Sequence, residues 1–227
     1  MMSQSENGIK VFSFDVDGTL VSQSFADAVW LRGIPEAYAA KECLSFERAF
    51  EYVKGEYDKI SEHRIEWYRL DYWLQKFGLE ITRDELFTRY KGEVKIYEDV
   101  QTVLEVLKEA GYELIISSNA ATEFVEFQTR PILEFFSHVF SATSDFEEVK
   151  KSNNFYAQVC EILDVKPQAV VHIGDHWVFD FLNPREIGIT AYFLDRTLTE
   201  QTKGEKDEQF VVNTLGAILV DYNLEAT

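Results

Sequence analysis

Cysteine is scarce in this chain of 227 residues, and so are basic side chains and long apolar runs. The two cysteines, Cys43 and Cys160, lie far apart and in no metal-like spacing, so we expect packed or incidental thiols in an intracellular protein. Lys and Arg total 22 against 40 Asp and Glu, a formal net charge of −18. Nucleic-acid polymers are bound through a basic stripe that displaces phosphate counterions, so we expect no nucleic-acid partner.

No uninterrupted apolar run approaches the length of a membrane-spanning helix, and residues 1–10 carry no signal-peptide apolar region. We therefore expect a soluble, cytoplasmic protein that does not bind membranes and that is a monomer or a homodimer. Hydrophobic residues make up 46% of the chain, which is enough for a sizeable core. The length allows one ordinary domain, or a core with a smaller insert.

The rest of the chain is best interpreted from one stretch near its start. The apolar run Ile9–Phe14 predicts a buried strand, and Asp15 and Asp17 follow it before Gly18. Open α/β sheets bind ligands at the carboxyl ends of their strands, and two acids placed there repel each other unless a cation or a shared proton relieves them. Alternatively, the stretch is an Asp-Gly turn in which Asp17 makes only a local hydrogen bond.

Helical patterns fill most of the chain from Leu20 to about residue 91. Apolar residues recur at spacings of four and three from Phe46 to Ile60, as in an amphipathic helix, and Thr82 with Glu85 has capping-box spacing. We predict that residues 21–91 form a small, aromatic-rich, all-helical domain inserted between strands. The alternative is that these helices simply cover the sheet.

Helices and strands alternate from Tyr97 onwards, and Ala169–Ile173 is the clearest buried strand. Alternating elements of these lengths predict an α/β fold with a doubly wound, parallel, Rossmann-like sheet and right-handed crossovers. Residues 1–20 and 92–227 are therefore predicted to form an α/β catalytic core.

Polar side chains follow four of the predicted strands and should face one crevice. Several carboxylates without a His or Cys cluster favour magnesium, and a hydroxyl with a lysine suits a tetrahedral anion. A carboxylate nucleophile with a second acid two residues away suggests phosphoryl transfer through an aspartyl-phosphate. The four groups are Asp15 with Asp17, Ser118, Lys150 or Lys151, and Asp175 with Asp180.

With these motifs in this order, the chain resembles the haloacid dehalogenase (HAD) superfamily. The resemblance covers the chain outside the helical insert, which occupies the place of the family's mobile cap. It implies a Mg²⁺-dependent phosphatase. The implied substrate is a small-molecule phosphate ester, namely a small phosphorylated metabolite. The motifs are Asp15-Val16-Asp17-Gly18-Thr19-Leu20, Ile115-Ile116-Ser117-Ser118-Asn119, a lysine before a helix, and Gly174-Asp175 followed by Asp180.

The resemblance implies roles for the four acids. Asp15 is expected to be the nucleophile and a magnesium ligand. Asp17 is expected to protonate the leaving alcohol and then to act as base on water, while its backbone carbonyl contacts the metal. Asp175 is expected to complete the metal site, and Asp180 to be a further ligand or to orient one.

The same resemblance implies that a hydroxyl, an amide and a lysine bind the phosphoryl group. Ser118 with Asn119 fits the family's Ser/Thr-Asn pair, and Ser117 is the alternative hydroxyl. The family lysine is usually followed by Pro, whereas this chain has two lysines in succession. An ungapped alignment with the family motif, anchored at the downstream pair Phe155-Tyr156, puts Lys150 at the position of the family lysine. Lys150 is therefore favoured as the catalytic, phosphate-binding lysine, with Lys151 as the alternative.

Bulky residues occupy the last motif loop, where small polar residues are common in the family. The indole of Trp177, next to His176, either narrows the site, reaches the leaving group, or packs against the insert. His172 on the preceding strand is interpreted as a core histidine rather than a catalyst.

Three other functions remain open at this point. A 2-haloacid dehalogenase displaces halide from carbon without a metal, and its second acidic position is commonly aromatic, so Asp17 weighs against it. A phosphomutase of the same superfamily would keep all four motifs. A non-enzymatic regulatory protein that binds phosphate or metal could retain the fold alone.

Overall fold

The computed structural model describes residues 8–197 and 208–224, which form two compact units. One unit lies within Met1–Val21 and Ile96–Thr227, and the other is Ser22–Lys95. The helical unit is inserted between the first and second strands of the other unit. Parts of the predicted core, namely residues 1–7, 198–207 and 225–227, lie outside the described residues.

The larger unit is built on a six-stranded sheet in which every pair of neighbouring strands is parallel. The strands are β1 (Val11–Phe14), β2 (Glu113–Ser118), β3 (His138–Ser141), β4 (Val170–Gly174), β5 (Thr190–Leu194) and β6 (Val211–Val212). Their order in the sheet is β3-β2-β1-β4-β5-β6, so the first strand is central. This confirms the predicted α/β fold with a doubly wound parallel sheet.

The inserted unit is helical throughout, and the predicted capping box is present, with Thr82 and Glu85 exchanging hydrogen bonds. Its aromatic side chains pack on one another: the rings of Tyr57 and Trp73 meet edge to face, with centroids 4.6 Å apart. Its helices are α1 (Ser24–Asp27), a π-helical turn (Ala28–Gly33), α2 (Ile34–Glu42), α3 (Phe46–Ile60), a 3₁₀ turn (Ile65–Tyr68), α4 (Leu70–Lys76), α5 (Arg83–Tyr90) and a second 3₁₀ turn (Lys91–Glu93).

Helices cover the sheet because alternate residues of the buried central strand face opposite sides. The α-helices in the described part of the larger unit are α6 (Val100–Glu109), α7 (Thr122–Thr129), α8 (Ala142–Asp145), α9 (Asn153–Ile162), α10 (Asn183–Glu186) and α11 (Gly216–Asp221). Phe12 and Phe14 belong to a core cluster that includes residues of α6 and α11, whereas Val11 belongs to a second cluster with residues of α9.

None of the helices in the described ranges is both long enough and apolar enough to cross a membrane.

Candidate active site

The register of the three central strands brings the predicted motifs to one edge of the sheet. Phe14 pairs with Ile116 of β2 and with Ile173 of β4. The next residue, Asp15, donates its backbone N–H to the Ile173 carbonyl at 2.9 Å, which extends the pairing by one residue. Ser118 at the end of β2 therefore lies at the same edge of the sheet as Asp15.

Two glycines allow the acidic side chains to approach the backbone closely. Gly18 has φ of +80°, and a Cβ placed there would lie 2.0 Å from Asp175 Oδ2. A Cβ on Gly174 would lie 2.3 Å from Asp180 Cγ. Real side chains do not tolerate such distances, so glycine at each position is what leaves room for a carboxylate.

Lys151, rather than Lys150, lies among these carboxylates. Lys151 is 1% exposed, and its Nζ donates to Asp15 Oδ1 at 2.5 Å and also to Asp180. Lys150 is half-buried, and its Nζ lies 4.7 Å from the centroid of the Phe179 ring. The sequence favoured Lys150, but the structure places the alternative, Lys151, beside the predicted nucleophile, and the Lys150 ammonium lies over the Phe179 ring instead.

Local hydrogen bonds explain why Lys151 points inward. Its N–H donates to Asn119 Oδ1 at 2.6 Å, and its carbonyl accepts from Asn183 Nδ2 at 2.7 Å. The next residue, Ser152, is the N-cap of α9 and accepts from the N–H of Phe155 at 3.1 Å. The backbone of Lys151 is thus held on both sides directly before a capped helix.

Asp15, Asp175 and Asp180 each offer a carboxylate oxygen, and these oxygens lie within 4.8 Å of one another. Burial, together with Asp180 and Asp175, raises the pKa of Asp15 well above its usual range although Lys151 opposes the shift. Burial, with Asp180 nearby, raises the pKa of Asp175 to about 7. One lysine therefore does not balance three acids, and these hard oxygen donors fit a divalent cation such as Mg²⁺.

Asp180 differs from the other two acids because buried hydrogen bonds already use both of its oxygens. Oδ1 contacts Lys151 and lies 3.0 Å from His172 Nε2, while Oδ2 accepts from the N–H of His176 at 3.0 Å. Asp180 is buried, yet Lys151 and His172 hold its pKa below the usual range. Despite burial, ion pairs with Asp15 and Asp180 raise the pKa of Lys151, so it stays cationic.

His172 is a core residue, as interpreted from the sequence, but its surroundings are polar. Its Nδ1 lies 2.8 Å from Ser13 Oγ, and its Nε2 lies 3.0 Å from the hydroxyl of Tyr156 as well as from Asp180. Burial lowers the pKa of His172, which favours the neutral ring. The sequence signal for this network was a histidine in an otherwise apolar strand, opposite a serine in the neighbouring strand β1.

The remaining predicted residues are also at this edge. Ser118 is buried, and its Oγ accepts from the N–H of Ala120 at 3.2 Å; Asn119 uses its side chain to hold the backbone of Lys151. Asp17 is half-buried, and its Oδ1 accepts from Gln128 Nε2 at 3.2 Å. Sequence reasoning missed Gln128, because one glutamine in an amphipathic helix carries no motif.

The bulky residues of the last motif loop have structural partners within the same unit. Trp177 packs against Phe181 and Phe193, with ring centroids 4.5 and 5.3 Å away. His176 Nδ1 accepts from the N–H groups of Val178 and Phe179, both at 3.2 Å. These ring partners of the indole belong to the sheet unit, so its observed packing is a fourth arrangement that the three possibilities considered from the sequence did not include.

Residues 9–182 match the family described as haloacid dehalogenase-like hydrolase. The chain belongs to this family. The match spans both the sheet motifs and the inserted helices, so this HAD hydrolase is an enzyme whose insertion lies where the resemblance predicted a cap. The four-motif resemblance found in the sequence is confirmed.

Proteins similar to this HAD hydrolase include a nucleotidase and several with solved structures. The GMP/IMP nucleotidase YrfG of Escherichia coli (strain K12) is 28% identical over 162 residues, which cover 71% of this chain and 72% of the nucleotidase. A HAD phosphatase from Thermococcus onnurineus aligns with a TM-score of 0.80 at 22% identity, over 96% of this chain and 100% of that one. The magnesium-bound HAD-hydrolase YfnB from Bacillus subtilis aligns with a TM-score of 0.65 at 16% identity, over 95% and 99% of the two chains. At such low identity the two structures support the fold alone.

Proposed function

We propose that this HAD hydrolase is a Mg²⁺-dependent phosphatase that hydrolyses a small phosphorylated metabolite through an aspartyl-phosphate. The observation that carries the proposal is the position of Asp15. Its buried carboxylate is hydrogen-bonded to Lys151, lies in a cluster of three acids, and is followed two residues later by Asp17. A nucleophile, a second acid and a fixed cation are the parts that phosphoryl transfer to a carboxylate requires.

The acidic cluster supplies the ligands for Mg²⁺ in this proposal. Asp15 and Asp175 would bind the ion directly with the backbone carbonyl of Asp17, as the family resemblance implies. Asp180, whose oxygens already accept hydrogen bonds from Lys151 and the backbone, would orient Lys151 and add negative charge. When bound, Mg²⁺ neutralises charge on the phosphoryl oxygens and favours the ionised nucleophile.

The reaction then proceeds in two steps. A carboxylate oxygen of Asp15 forms a bond to phosphorus as the bond to the leaving oxygen breaks, and Asp17 gives that oxygen its proton. Water next attacks phosphorus while Asp17 takes a proton from it, and the bond between Asp15 and phosphorus breaks to release phosphate. General acid–base assistance of this kind typically contributes about 10²–10⁴-fold.

Lys151 and Ser118 are proposed to hold the transferring phosphoryl group. The Lys151 ammonium contacts Asp15 directly, so it lies next to the oxygens that gain negative charge. Ser118 contributes a hydroxyl at the same sheet edge. Asn119, which the sequence nominated for phosphate binding, is proposed to act by holding the backbone of Lys151 through its Oδ1.

The similarity to the nucleotidase YrfG makes purine nucleoside monophosphates the first substrates to test. The net charge of −18 does not exclude an anionic substrate, because a bound divalent cation reverses the local field. Other phosphorylated metabolites, such as sugar phosphates, form the second group of a substrate screen.

Hydrolysis of 4-nitrophenyl phosphate with and without Mg²⁺, by the wild type and by Asp15→Asn, tests the proposal. We expect turnover that requires Mg²⁺ and that the substitution abolishes, with a phosphorylated Asp15 detectable by mass spectrometry after acid quench. Magnesium binding without turnover of any phosphate ester would instead support the regulatory alternative. Halide release from 2-haloacids without metal would support the dehalogenase, and exchange of phosphate between two hydroxyls of one substrate would support the mutase.

A further inference from the structure

Gln128 is a fully buried amide on α7 with no role in the motifs of the family resemblance. Its neighbours in the helix, Phe124 and Val125, are buried apolar residues, so this helix face belongs to the core. Glutamine is uncommon in such a position, because burying its amide costs free energy unless both polar atoms are paired. The free-energy cost of burying this amide suggests that it serves a function.

The two polar atoms of this amide have different surroundings. Nε2 lies 3.2 Å from Asp17 Oδ1, across 111 positions of sequence. Oε1 is buried and has no hydrogen-bond partner among the described residues. The adjacent Thr129 is satisfied within its own helix, since its hydroxyl donates to the Val125 carbonyl at 2.7 Å. The contact with Asp17 is therefore the polar interaction that the Gln128 side chain gains from its burial.

We propose that Gln128 is a positioning residue that fixes the orientation of the Asp17 carboxyl group. An N–H donated to Oδ1 makes that oxygen the less favourable one to protonate, so the transferable proton is carried by Oδ2. In the first step this proton passes to the leaving oxygen as its bond to phosphorus breaks. The inference rests on the proposed function, because it assigns Asp17 the proton-transfer role.

This arrangement predicts an effect that depends on the leaving group. A leaving group that departs as a stable anion needs little help from a proton, whereas a more basic one needs an acid in the correct place. Loss of positioning should therefore affect basic leaving groups selectively. A general loosening of the core would slow both classes of ester to the same extent.

The experiment compares kcat/KM of Gln128→Met with 4-nitrophenyl phosphate and with unsubstituted phenyl phosphate, because this ratio reports the phosphorylation of Asp15. We expect a loss on the order of tenfold for phenyl phosphate and about twofold or less for the nitrophenyl ester. Asp17→Asn should show the same selectivity more strongly. Gln101→Met is the matched control, since Gln101 donates to Glu105 on the exposed face of α6, and it should change neither rate.

A second readout is Mg²⁺ affinity by calorimetry, which Gln128→Met should leave unchanged within about twofold. The amide contacts the side-chain carboxylate of Asp17 and none of the three clustered acids, whereas Asp17 is proposed to bind the ion through its backbone carbonyl. Equal losses on both esters, no loss on either, or a parallel fall in Mg²⁺ affinity would each overturn the inference. If Gln128→Met does not fold, Gln128→Asn withdraws the amide by one methylene and is expected to show the same selectivity. Absence of wild-type turnover would instead refute the proposed function, and this inference with it.

Discussion

Lys151 Nζ lies 2.5 Å from Asp15 Oδ1 although 136 positions separate the two residues, and the same ammonium group contacts Asp180. The pair is almost completely buried. An ammonium shared between two acids both holds the nucleophile in place and supplies positive charge where a phosphoryl group would bind. Neighbouring Lys150 has no part in this contact, because its ammonium lies over the Phe179 ring.

Lys151→Met is expected to lower kcat by at least about 10²-fold, because it removes a preorganised charge from the site. It should also lower the free energy of unfolding by roughly 3–5 kcal/mol, since two buried acids lose their partner. Lys150→Met makes the same chemical change one residue away and should cost less than tenfold in kcat. Kinetics on an aryl phosphate and urea unfolding measure both effects. Inactivation by Lys150→Met with retention of activity in Lys151→Met would reverse the assignment.

Ser118→Ala is expected to lower kcat by about 10²-fold, as loss of a single hydrogen-bond donor to the phosphoryl group does in preorganised sites. Ser117→Ala serves as the control at the adjacent position. The Ser117 hydroxyl lies 2.9 Å from Ser13 Oγ, in the buried network with His172, so its loss should affect stability more than chemistry. Kinetics of both variants at saturating Mg²⁺ separate these outcomes, and a larger kinetic loss for Ser117→Ala would identify the other hydroxyl as the catalytic one.

Gly18→Ala is expected to inactivate the enzyme, because the new Cβ would meet Asp175 Oδ2 at 2.0 Å and displace a proposed metal ligand. Gly111→Ala is the matched control, since Gly111 has a similar φ of +88° and a Cβ added there would have no neighbour within 4 Å. Both variants incur the backbone cost of alanine at positive φ, about 1–2 kcal/mol. Thermal unfolding and Mg²⁺ titration distinguish the two effects. Normal Mg²⁺ affinity in Gly18→Ala would show that Asp175 adjusts without loss.

The stability of the metal-free protein is expected to fall as pH rises from about 4 to 7. The pKa of Asp175 is raised from 3.8 to about 7 in the folded state, chiefly by burial, so across this range the folded state binds more protons than the unfolded state. The shift in Asp15 acts in the same direction. Asp180 contributes to stability with the opposite sign, because its pKa is depressed in the folded state. Its stabilising contribution is lost only as the pH falls below this range.

Asp175→Asn should flatten this dependence and stabilise the metal-free protein at pH 7 by roughly 1–3 kcal/mol, while abolishing turnover. Added Mg²⁺ should stabilise the wild type more at pH 7.5 than at pH 5, and should have little effect on the variant. Urea unfolding at several pH values, with and without Mg²⁺, measures each effect. A wild-type stability that rises with pH from 4 to 7 would contradict the proposed charge balance of the cluster.

The order of strands, helices and motifs along the chain could be predicted from the sequence alone. Alternating apolar helices and strands after Tyr97 predicted the parallel sheet, since such a sheet needs helical crossovers that pack on both of its faces. Asp15, Asp17, Ser118 and Asp175 could be expected to lie near one another, because the carboxyl ends of parallel strands meet at one edge of the sheet. The capping box at Thr82 could be recognised because its partners are three residues apart.

Which side chains contact one another depends on how the strands and helices pack, and this could not be predicted from the sequence. The side chains of consecutive residues point in different directions, so the sequence did not show whether Lys150 or Lys151 faces the acids. Hydrogen bonds between the Lys151 backbone and the side chains of Asn119 and Asn183 direct the Lys151 side chain inward. The contact of Gln128 with Asp17 likewise depends on how α7 packs against the sheet. Local periodicity reports which face of an element is buried, but it does not report the partner of a buried polar atom, which for Gln128 is 111 positions away in the sequence.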